Sequence, residues 1–382
     1  MQIGKGKGKK IKIGEAGDKE IFCYSQESVE KYNYDKIKEI VEKIIDKYAK
    51  LEDENTNPGF VILQNQPPIK IYEKAVREIS SLKDTKQALK SVRAEYKGYK
   101  NCRGLIGATA SVAWSFTHDK TYELIAYRQE NKWGTERFVD DSSVSKMDKI
   151  CLSTFDNYDY ENQHNRLTPN SPCPILYGIR GDNVEELIKA SSLVKSEPID
   201  SWTIFETNQG TDDHLQKRSI DKIKPYQSVI VEGSLVRNPH TIKGGHVIFS
   251  IGNNILLDTV DCAAYEPTKE FRRIVRKLCI DDIVEVYGGV REKPLTVNIE
   301  KINIKYLSKQ VEKIENPICQ KCGKHMKSKG KGKIYKCRIC GDTSNKPTIK
   351  KIERTINTGF YEVPVCARRH LSKPLKRMNN IT

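Results

Sequence analysis

The stretch Cys319–Gly341, CQKCGKHMKSKGKGKIYKCRICG, decides how the C-terminal part of this chain folds. Two Cys-x-x-Cys pairs, Cys319/Cys322 and Cys337/Cys340, stand fourteen residues apart. Four thiolates at that spacing can close a tetrahedron around zinc, two from each of two facing knuckles. A glycine follows the second cysteine of each pair (Gly323, Gly341), where a tight turn must aim amides at sulfur. Four protein ligands leave no open coordination position, so the expected Zn²⁺ is structural. His325 is a spare, solvent-facing side chain.

The loop between the pairs is loaded with lysine. From Cys319 to Thr382 there are 17 Lys or Arg against 3 Asp or Glu, so the segment carries +14 of the formal +16. The basic character is therefore a C-terminal device, and it points to a polyanion. Lys327, Lys329, Lys331 and Lys333 read either as a solubilising hairpin tip or as phosphate contacts on a rigid finger. The run ARRHLSKPLKR (Ala367–Arg377), with Arg368 and Arg369, favours nucleic acid. Eleven cysteines, four of them in these pairs, suit a reducing compartment and metal rather than disulfides. No run approaches the ~18 apolar residues of a membrane helix. The basic N-terminus has no apolar signal core. A cytoplasmic protein without membrane contact is expected, and no obligate protein partner is indicated.

Upstream of the cysteines, Gln227 to Leu307 reads as strands with one helix: 228–236, 245–251, 254–260, a helix near 270–278, then 283–288 and 295–306. Three strands, a helix and two strands is the order of an OB barrel, a common platform for single-stranded nucleic acid; a small barrel with a structural role is the alternative. Before it, Tyr34–Leu51 carries a helical apolar stripe, flanked by strand-like runs at 20–24 and 60–63. Helical stretches to about Leu89, a strand at 96–101, a helix at 103–116 and a strand at 122–127 follow. That pattern predicts a ferredoxin-like sheet. From Gln129 to Leu215 the chain is rich in Asn, Asp and Pro, with long polar loops between short elements, where sites usually lie.

Several polar clusters in that region can carry chemistry. Arg180-Gly181-Asp182 precedes a predicted helix: arginine pairs with phosphate and aspartate can hold magnesium, but an ordinary capped turn has the same sequence. TNQGTDDHL (Thr207–Leu215) could likewise be simple capping. Gly104 and Gly107 show no dinucleotide fingerprint, and close helix packing explains them equally well. There is no Walker A, G-x-S-x-G or H-E-x-x-H sequence.

Eight runs taken together resemble the archaeal tRNA-isoleucine 2-agmatinylcytidine synthetase family (TiaS): NTNPG (55–59), RGLIGA (103–108), TYELIAYR (121–128), WGT (133–135), TFDN (154–157), YGIRGD (177–182), TNQGTD (207–212) and ARRHL (367–371). The resemblance covers nearly the whole chain. It implies an α+β multidomain protein: a ferredoxin-like domain at 1–128, part of a kinase-like ATP domain at 129–222, an OB-fold at 223–310, a zinc ribbon at 314–345 and a basic tail at 346–382. It also implies a ligase that uses ATP and Mg²⁺ to attach agmatine to the first anticodon cytidine of the second isoleucine tRNA, whose anticodon is CAU. On this reading Arg180 and Asp182 face the nucleotide phosphates and Mg²⁺, and Asn208, Gln209 and Asp212 line the same cleft. Asp156 and Asp159 are candidates for metal or guanidinium contact, and Asn57, Gly59, Arg103 and Gly104 for the base and agmatine pocket. The family normally opens with an Asp-Asp-Thr-Asp motif, which this sequence does not contain; the expectation is a chain that keeps the tRNA-binding part and half of the ATP domain.

Overall fold

The computed structural model describes residues 11–15, 21–25, 34–115, 119–253, 258–330 and 334–378. Up to the barrel its elements are β1 (Ile11–Glu15), β2 (Ile21–Ser25), α1 (Tyr34–Tyr48), β3 (Gly59–Ile62), α2 (Lys70–Arg77), α3 (Leu82–Ser91), β4 (Glu95–Gly98), α4 (Gly104–Ala113), β5 (Thr121–Arg128), α5 (Asp141–Ile150), β6 (Thr154–Phe155), β7 (Tyr158–Asp159), β8 (His164–Asn165), β9 (Ile175–Gly181), α6 (Val184–Leu193) and β10 (Ile199–Thr207). Six of these strands form one sheet in the order β2-β1-β10-β5-β9-β6. The pair β1–β10 is parallel, and the other neighbours are antiparallel.

Alternation along β5 decides which face of that sheet is dry. Leu124 and Ala126 pack with Ile179 and Ile204 beneath α5 and α6, through Val144, Met147, Leu187 and Ala190. Ile125 joins Phe205 in a separate small cluster with Tyr127 and Ile175. Helix α6 starts where Asn183 accepts the Glu186 amide at 2.8 Å, so the strand gives way to helix directly after Asp182. Strands β3 and β4 form their own two-stranded ladder, packed with the nearly all-apolar α4.

The boundary expected at 128/129 therefore does not separate two sheets. Strand β5 lies between β9 and β10, and β2 pairs with β1, while β3 and β4 stand apart. Hydrophobic period marks a strand but carries no information on its distant partner, so strands that follow one another in sequence suggest a single sheet where the fold makes two.

The second large unit follows the expected order. It comprises β11 (Leu215–Lys217), β12 (Ser228–Thr241), β13 (Val247–Gly252), β14 (Thr259–Ala264), α7 (Phe271–Val275), β15 (Ile283–Arg291) and β16 (Thr296–Tyr306). Strands β12-β13-β14-β16-β15 pair in that sequence, and β15 closes back onto β12. The step from β14 to β16 is parallel. Val229, Val231, Phe249, Ile251, Val284, Val286 and Ile302 fill the interior. Residues 254–257 of the expected second hairpin lie outside the described residues.

Beyond the barrel, β17 (Gln310–Glu315) pairs with β21 (Thr348–Ile352), bracketing the small sheet of β18 (Lys327–Ser328), β19 (Tyr335–Lys336) and β20 (Thr343–Ser344). The segment expected as a basic tail is built into the fold instead. Its β22 (Gly359–Glu362) adds to β16, and α8 (Leu375–Met378) lies against the first sheet through buried Arg377. Among the described residues no helix is long and apolar enough to cross a membrane.

Candidate active site and metal centre

The chain leaves β10 through Asn208 and Gln209, both fully buried, and turns at Gly210 and Asp212 with φ of +66° and +64°. Aspartate tolerates that left-handed geometry better than most residues. The turn is held from several sides. Thr121 Oγ1 donates to the Gln209 carbonyl (2.9 Å), and the amides of Gly210 and Asp212 donate to the carbonyls of His370 (2.7 Å) and Leu371 (2.8 Å). Buried Glu123 accepts from Arg180 Nε at 3.1 Å and Gln209 Nε2 at 2.8 Å, so three polar side chains converge on the sheet face opposite α5 and α6. Asn208 Nδ2 donates to the Tyr72 hydroxyl (2.8 Å), which donates to Asp213 (2.7 Å). Burial and the Asp213 carboxylate push that phenol well above its ordinary range. Against this cluster lies His370, an exposed residue whose imidazole is lowered by the neighbouring Arg180 guanidinium and by Arg166, so it is neutral at pH 7.

The carboxylates expected to hold metal, to meet the guanidinium or to line the nucleotide cleft are mostly spent on internal cations. Asp182 accepts from Arg377 Nε at 2.8 Å, and Arg377 also grips Asp119 (2.8 Å) and the Gly210 carbonyl. Asp156 pairs with Arg368, which also pairs with Glu362. Asp212 accepts from Lys301 Nζ and from the Lys373 amide, both at 2.7 Å. Asp159 has no cation among its bonded partners, but it accepts the Glu161 and Asn162 amides (3.1 Å each) and Asn162 Nδ2 (2.8 Å). Burial opposes ionisation of Asp159, yet these donors hold its carboxyl below the usual range. This donor set does not fit a preformed Mg²⁺ site, whose oxygens would have to be open to the ion.

Arg368 and Arg369 make internal ion pairs that the sequence does not show. Read from the sequence they contact RNA; in the fold Arg368 is buried on Asp156 and Glu362, and Arg369 Nε donates to Glu300 at 2.7 Å. A charge count shows a basic run but not the acidic groups it folds onto.

The four residues assigned to a base and agmatine pocket come together at one corner, where the loop before β3 meets the start of α4. A Cβ on Gly104 would stand 2.3 Å from the Asn57 carbonyl oxygen, and one on Gly59 2.8 Å from the Leu105 nitrogen. Both glycines thus permit backbone contact between loop and helix. Asn57 Nδ2 donates to the carbonyls of Glu54 and Asn55, while its Oδ1 is buried with no hydrogen-bond partner. Arg103 lies at the helix start, exposed.

The cysteine cluster is as the spacing requires. The Sγ atoms of Cys319, Cys322, Cys337 and Cys340 all lie within 4.8 Å of one another, the one such group of metal-ligating side chains among the described residues. In each knuckle the glycine amide returns to the first cysteine's carbonyl, Gly323 to Cys319 (2.9 Å) and Gly341 to Cys337 (3.2 Å). The set fits tetrahedral zinc with no position left for substrate. Lys327 and Lys329 project from the hairpin into solvent; Lys331 and Lys333 lie outside the described residues.

Comparison with known proteins identifies the arrangement. Family models described as the TiaS TCKD domain, the TiaS FLD domain and the TiaS C-terminal zinc ribbon domain match residues 1–101, 102–214 and 316–356. The chain belongs to the TiaS family. The TiaS of Methanocaldococcus jannaschii, named as the 2-agmatinylcytidine synthetase of the second isoleucine tRNA, is 45% identical over 364 residues, covering 92% of this chain and 85% of that one. The Archaeoglobus fulgidus protein of the same name is 42% identical over 347 residues, covering 89% and 81%. A solved complex of TiaS with that tRNA and ATP superposes with a TM-score of 0.81 at 40% identity, over 92% of this chain and 84% of that one. A TiaS complex with the same tRNA, AMPCPP and agmatine gives 0.80 at 38%, over 94% and 85%. The two N-terminal models part this TiaS-family chain between residues 101 and 102, not at 128/129.

Sequence reading missed several residues that hold the Asn208–Asp212 turn and its neighbours: Glu123, Asp119, Lys301, Arg377 and Tyr72. Glu123 left a signal, being the lone charge in TYELIA, and a charge inside an apolar strand has to find a partner. Arg377 is hidden in the basic run. Lys301 and Tyr72 give no local sign, because their partners are 89 and 141 residues away in sequence.

Proposed function

We propose that this chain forms 2-agmatinylcytidine at the first anticodon position of the CAU isoleucine tRNA in an ATP-dependent reaction, which lets the tRNA decode AUA. The carrying observation is similarity along about nine-tenths of the chain to proteins named for that synthesis, including relatives solved with the tRNA, ATP, AMPCPP and agmatine. The chemistry is demanding because the carbon-2 oxygen of cytidine is a poor leaving group. A phosphoryl group moved from ATP to that oxygen makes it leave as phosphate. The primary amine of agmatine attacks carbon 2, the C–N bond forms as the C–O bond breaks, and the amine's proton is released.

The residues that best suit this task are Arg180, set beside the turn Asn208–Asp212, and the loop-to-helix corner of Asn57, Gly59, Arg103 and Gly104. Arg180 offers a guanidinium to phosphate oxygens, and the neutral His370 beside it adds no further positive charge. Asp156, Asp182 and Asp212 act in this reading as anchors for Arg368, Arg377 and Lys301 rather than as ligands of the nucleotide or metal. Among the described residues the Mg²⁺ expectation therefore has no open carboxylate set behind it. Lys327 and Lys329, with Lys331 and Lys333 beside them in sequence, are the natural phosphate contacts for tRNA, and a cytoplasmic location follows from that substrate.

Incubation of the full chain with a transcript of the CAU isoleucine tRNA, ATP and radiolabelled agmatine should place label in the tRNA. A transcript with uridine at the first anticodon position should take up none. Tight tRNA binding without incorporation would overturn the synthetase reading and favour a non-enzymatic tRNA-binding protein, which the internally committed aspartates would suit.

A further inference from the structure

Two residues of the barrel reach out of it together. On β16 the interior positions are Val297, Ile299, Ile302 and Ile304, so the inward spacing jumps from two to three between Ile299 and Ile302. The pairing with β15 shifts at the same place: Tyr287 faces Lys301, but Gly288 faces Ile299. Glu300 is therefore the extra residue of a β-bulge, a device that re-aims side chains locally. Gly288 opposite it is required, since a Cβ there would fall 2.1 Å from the Asn298 carbonyl oxygen. The bulge turns two consecutive residues of opposite charge outward, where simple alternation would have sent one of them into the apolar interior.

Both point at the connection that leaves the first sheet. Lys301, with no solvent exposure, donates to Asp212 Oδ2 and to the Lys373 carbonyl, each at 2.7 Å. Glu300, also buried, takes His214 Nε2 at 3.1 Å and Arg369 Nε at 2.7 Å. Burial works against the Glu300 charge, but Arg369 and His214 hold its carboxyl far below the ordinary range. Asp212 Oδ1 in turn accepts the Lys373 amide (2.7 Å), and the Asp212 amide donates to the Leu371 carbonyl. One bulge thus clamps the turn Asn208–His214 and the C-terminal segment 369–373 to the same barrel strand. A buried ammonium without its carboxylate would be strongly unfavourable, so the turn has one place to sit.

We propose that Lys301 and Glu300 are positioning residues: acting through Asp212 and His214, the barrel bulge sets the Asn208–Asp212 turn, and with it the Gln209–Glu123–Arg180 cluster that receives the nucleotide. The nucleotide clause rests on the synthetase reading above; the positioning of the turn does not. The role is not reducible to stability, because the barrel core lies on the opposite side of β16 and needs neither charge.

The test uses the zinc-loaded full chain and Lys301→Met, which keeps the length of the side chain and removes its charge. Hydrogen exchange should speed up at least tenfold at the Gly210 and Asp212 amides and stay unchanged at Phe249 and Ile251 in the barrel core. The affinity for AMPCPP should fall at least tenfold while that for the CAU isoleucine tRNA stays within twofold. Lys301→Arg should recover part of the AMPCPP affinity. Unchanged exchange at Gly210 and Asp212 would overturn the proposal. So would faster exchange with AMPCPP affinity kept within twofold, which would leave the clamp a purely structural one. A wild-type chain that binds no AMPCPP would remove the nucleotide reading, and the exchange measurement would still decide whether the bulge sets the turn. Should Lys301→Met not fold, Asp212→Asn removes the same ion pair at nearly constant shape, and exchange at its Gly210 and Phe249 amides discriminates in the same way.

Discussion

Replacing Arg377 by methionine should release the C-terminal segment without unfolding the barrel. The Arg377 side chain is 6% exposed and holds Asp182 at 2.7 Å, Asp119 at 2.8 Å and the Gly210 carbonyl. Breaking a buried ion pair by removing one partner costs about 3–5 kcal/mol, chiefly because the other charge is stranded. Here the stranded groups are partly solvated, at 35% for Asp119 and 33% for Asp182, and Asp119 keeps Lys373 Nζ at 2.8 Å. The discounted cost is about 2–3 kcal/mol. Helix α8 has only four residues and cannot persist undocked, so the loss should appear as local opening of 368–378. Limited proteolysis in the regime of fast reclosing reads the open population directly, and 2–3 kcal/mol corresponds to roughly 30- to 150-fold faster cleavage. In an Asp182→Asn background the effect should shrink, with a coupling of about 1 kcal/mol or more in the double-mutant cycle. Cleavage accelerated less than threefold, or effects that add within about 0.5 kcal/mol, would refute the claim that this contact network docks the segment.

Three further perturbations separate the parts of the molecule. Chelation of zinc should unfold the cysteine-bearing segment 318–344 alone and reduce tRNA affinity, leaving the barrel's thermal transition, and with it Arg354 on Asp282, in place; loss of the barrel transition on chelation would contradict the division into separate folding units. Gly104→Ala drives a Cβ into the Asn57 carbonyl oxygen at 2.3 Å, so α4 must shift, at a cost of about 1–3 kcal/mol by urea unfolding; an unchanged midpoint would show that the corner is not close-packed. Acid should weaken the barrel end through Asp282, whose carboxyl is held low, against burial, by Arg354 and the amides of Cys279 and Ser308. Because the folded value lies below the unfolded one, near 4, this stabilisation is complete above that value and is lost as pH falls through the folded value; an Asp282→Asn protein should show a flatter acid limb, and an unchanged limb would remove Asp282 as its source.

What is legible in the sequence is what is encoded locally. The zinc ligands follow from spacing, because all four lie within 22 residues and the knuckle geometry is short-range. The barrel is legible from strand order, since its strands follow one another and the helix falls between the third and fourth. The first sheet is not, because β1 and β10, its parallel neighbours, are nearly two hundred residues apart. The sequence suggests a turn at Arg180, which lies in β9, and magnesium at Asp182, which holds Arg377. Both differences have one cause. A polar residue's type announces that it needs a partner, and only the tertiary fold says whether the partner is a ligand or another side chain.

The same distinction divides the basic C-terminal segment in two. Lysines on the hairpin between the cysteine pairs are exposed at Lys327 and Lys329, whereas Arg368, Arg369, Lys373 and Arg377 are each paired with carboxylates of the first sheet, the barrel or the segment itself. Arg368, Lys373 and Arg377, neutralised inside the fold, release few counterions when RNA binds and contribute little to the salt slope, whereas Arg369, paired with Glu300, keeps 37% of its side chain exposed. Under the proposed function, the exposed lysines of the zinc-held hairpin are the cations of this segment best placed to meet RNA. The paired residues do a different job: leaving β22 on the barrel, the chain drops Arg368 onto Asp156, Arg369 onto Glu300 and Arg377 onto Asp182 and Asp119. A segment that looks in sequence like a second RNA contact also ties the barrel to the Asn208–Asp212 turn. It makes the geometry of the Asn208–Asp212 turn depend on a part of the chain more than 150 residues away.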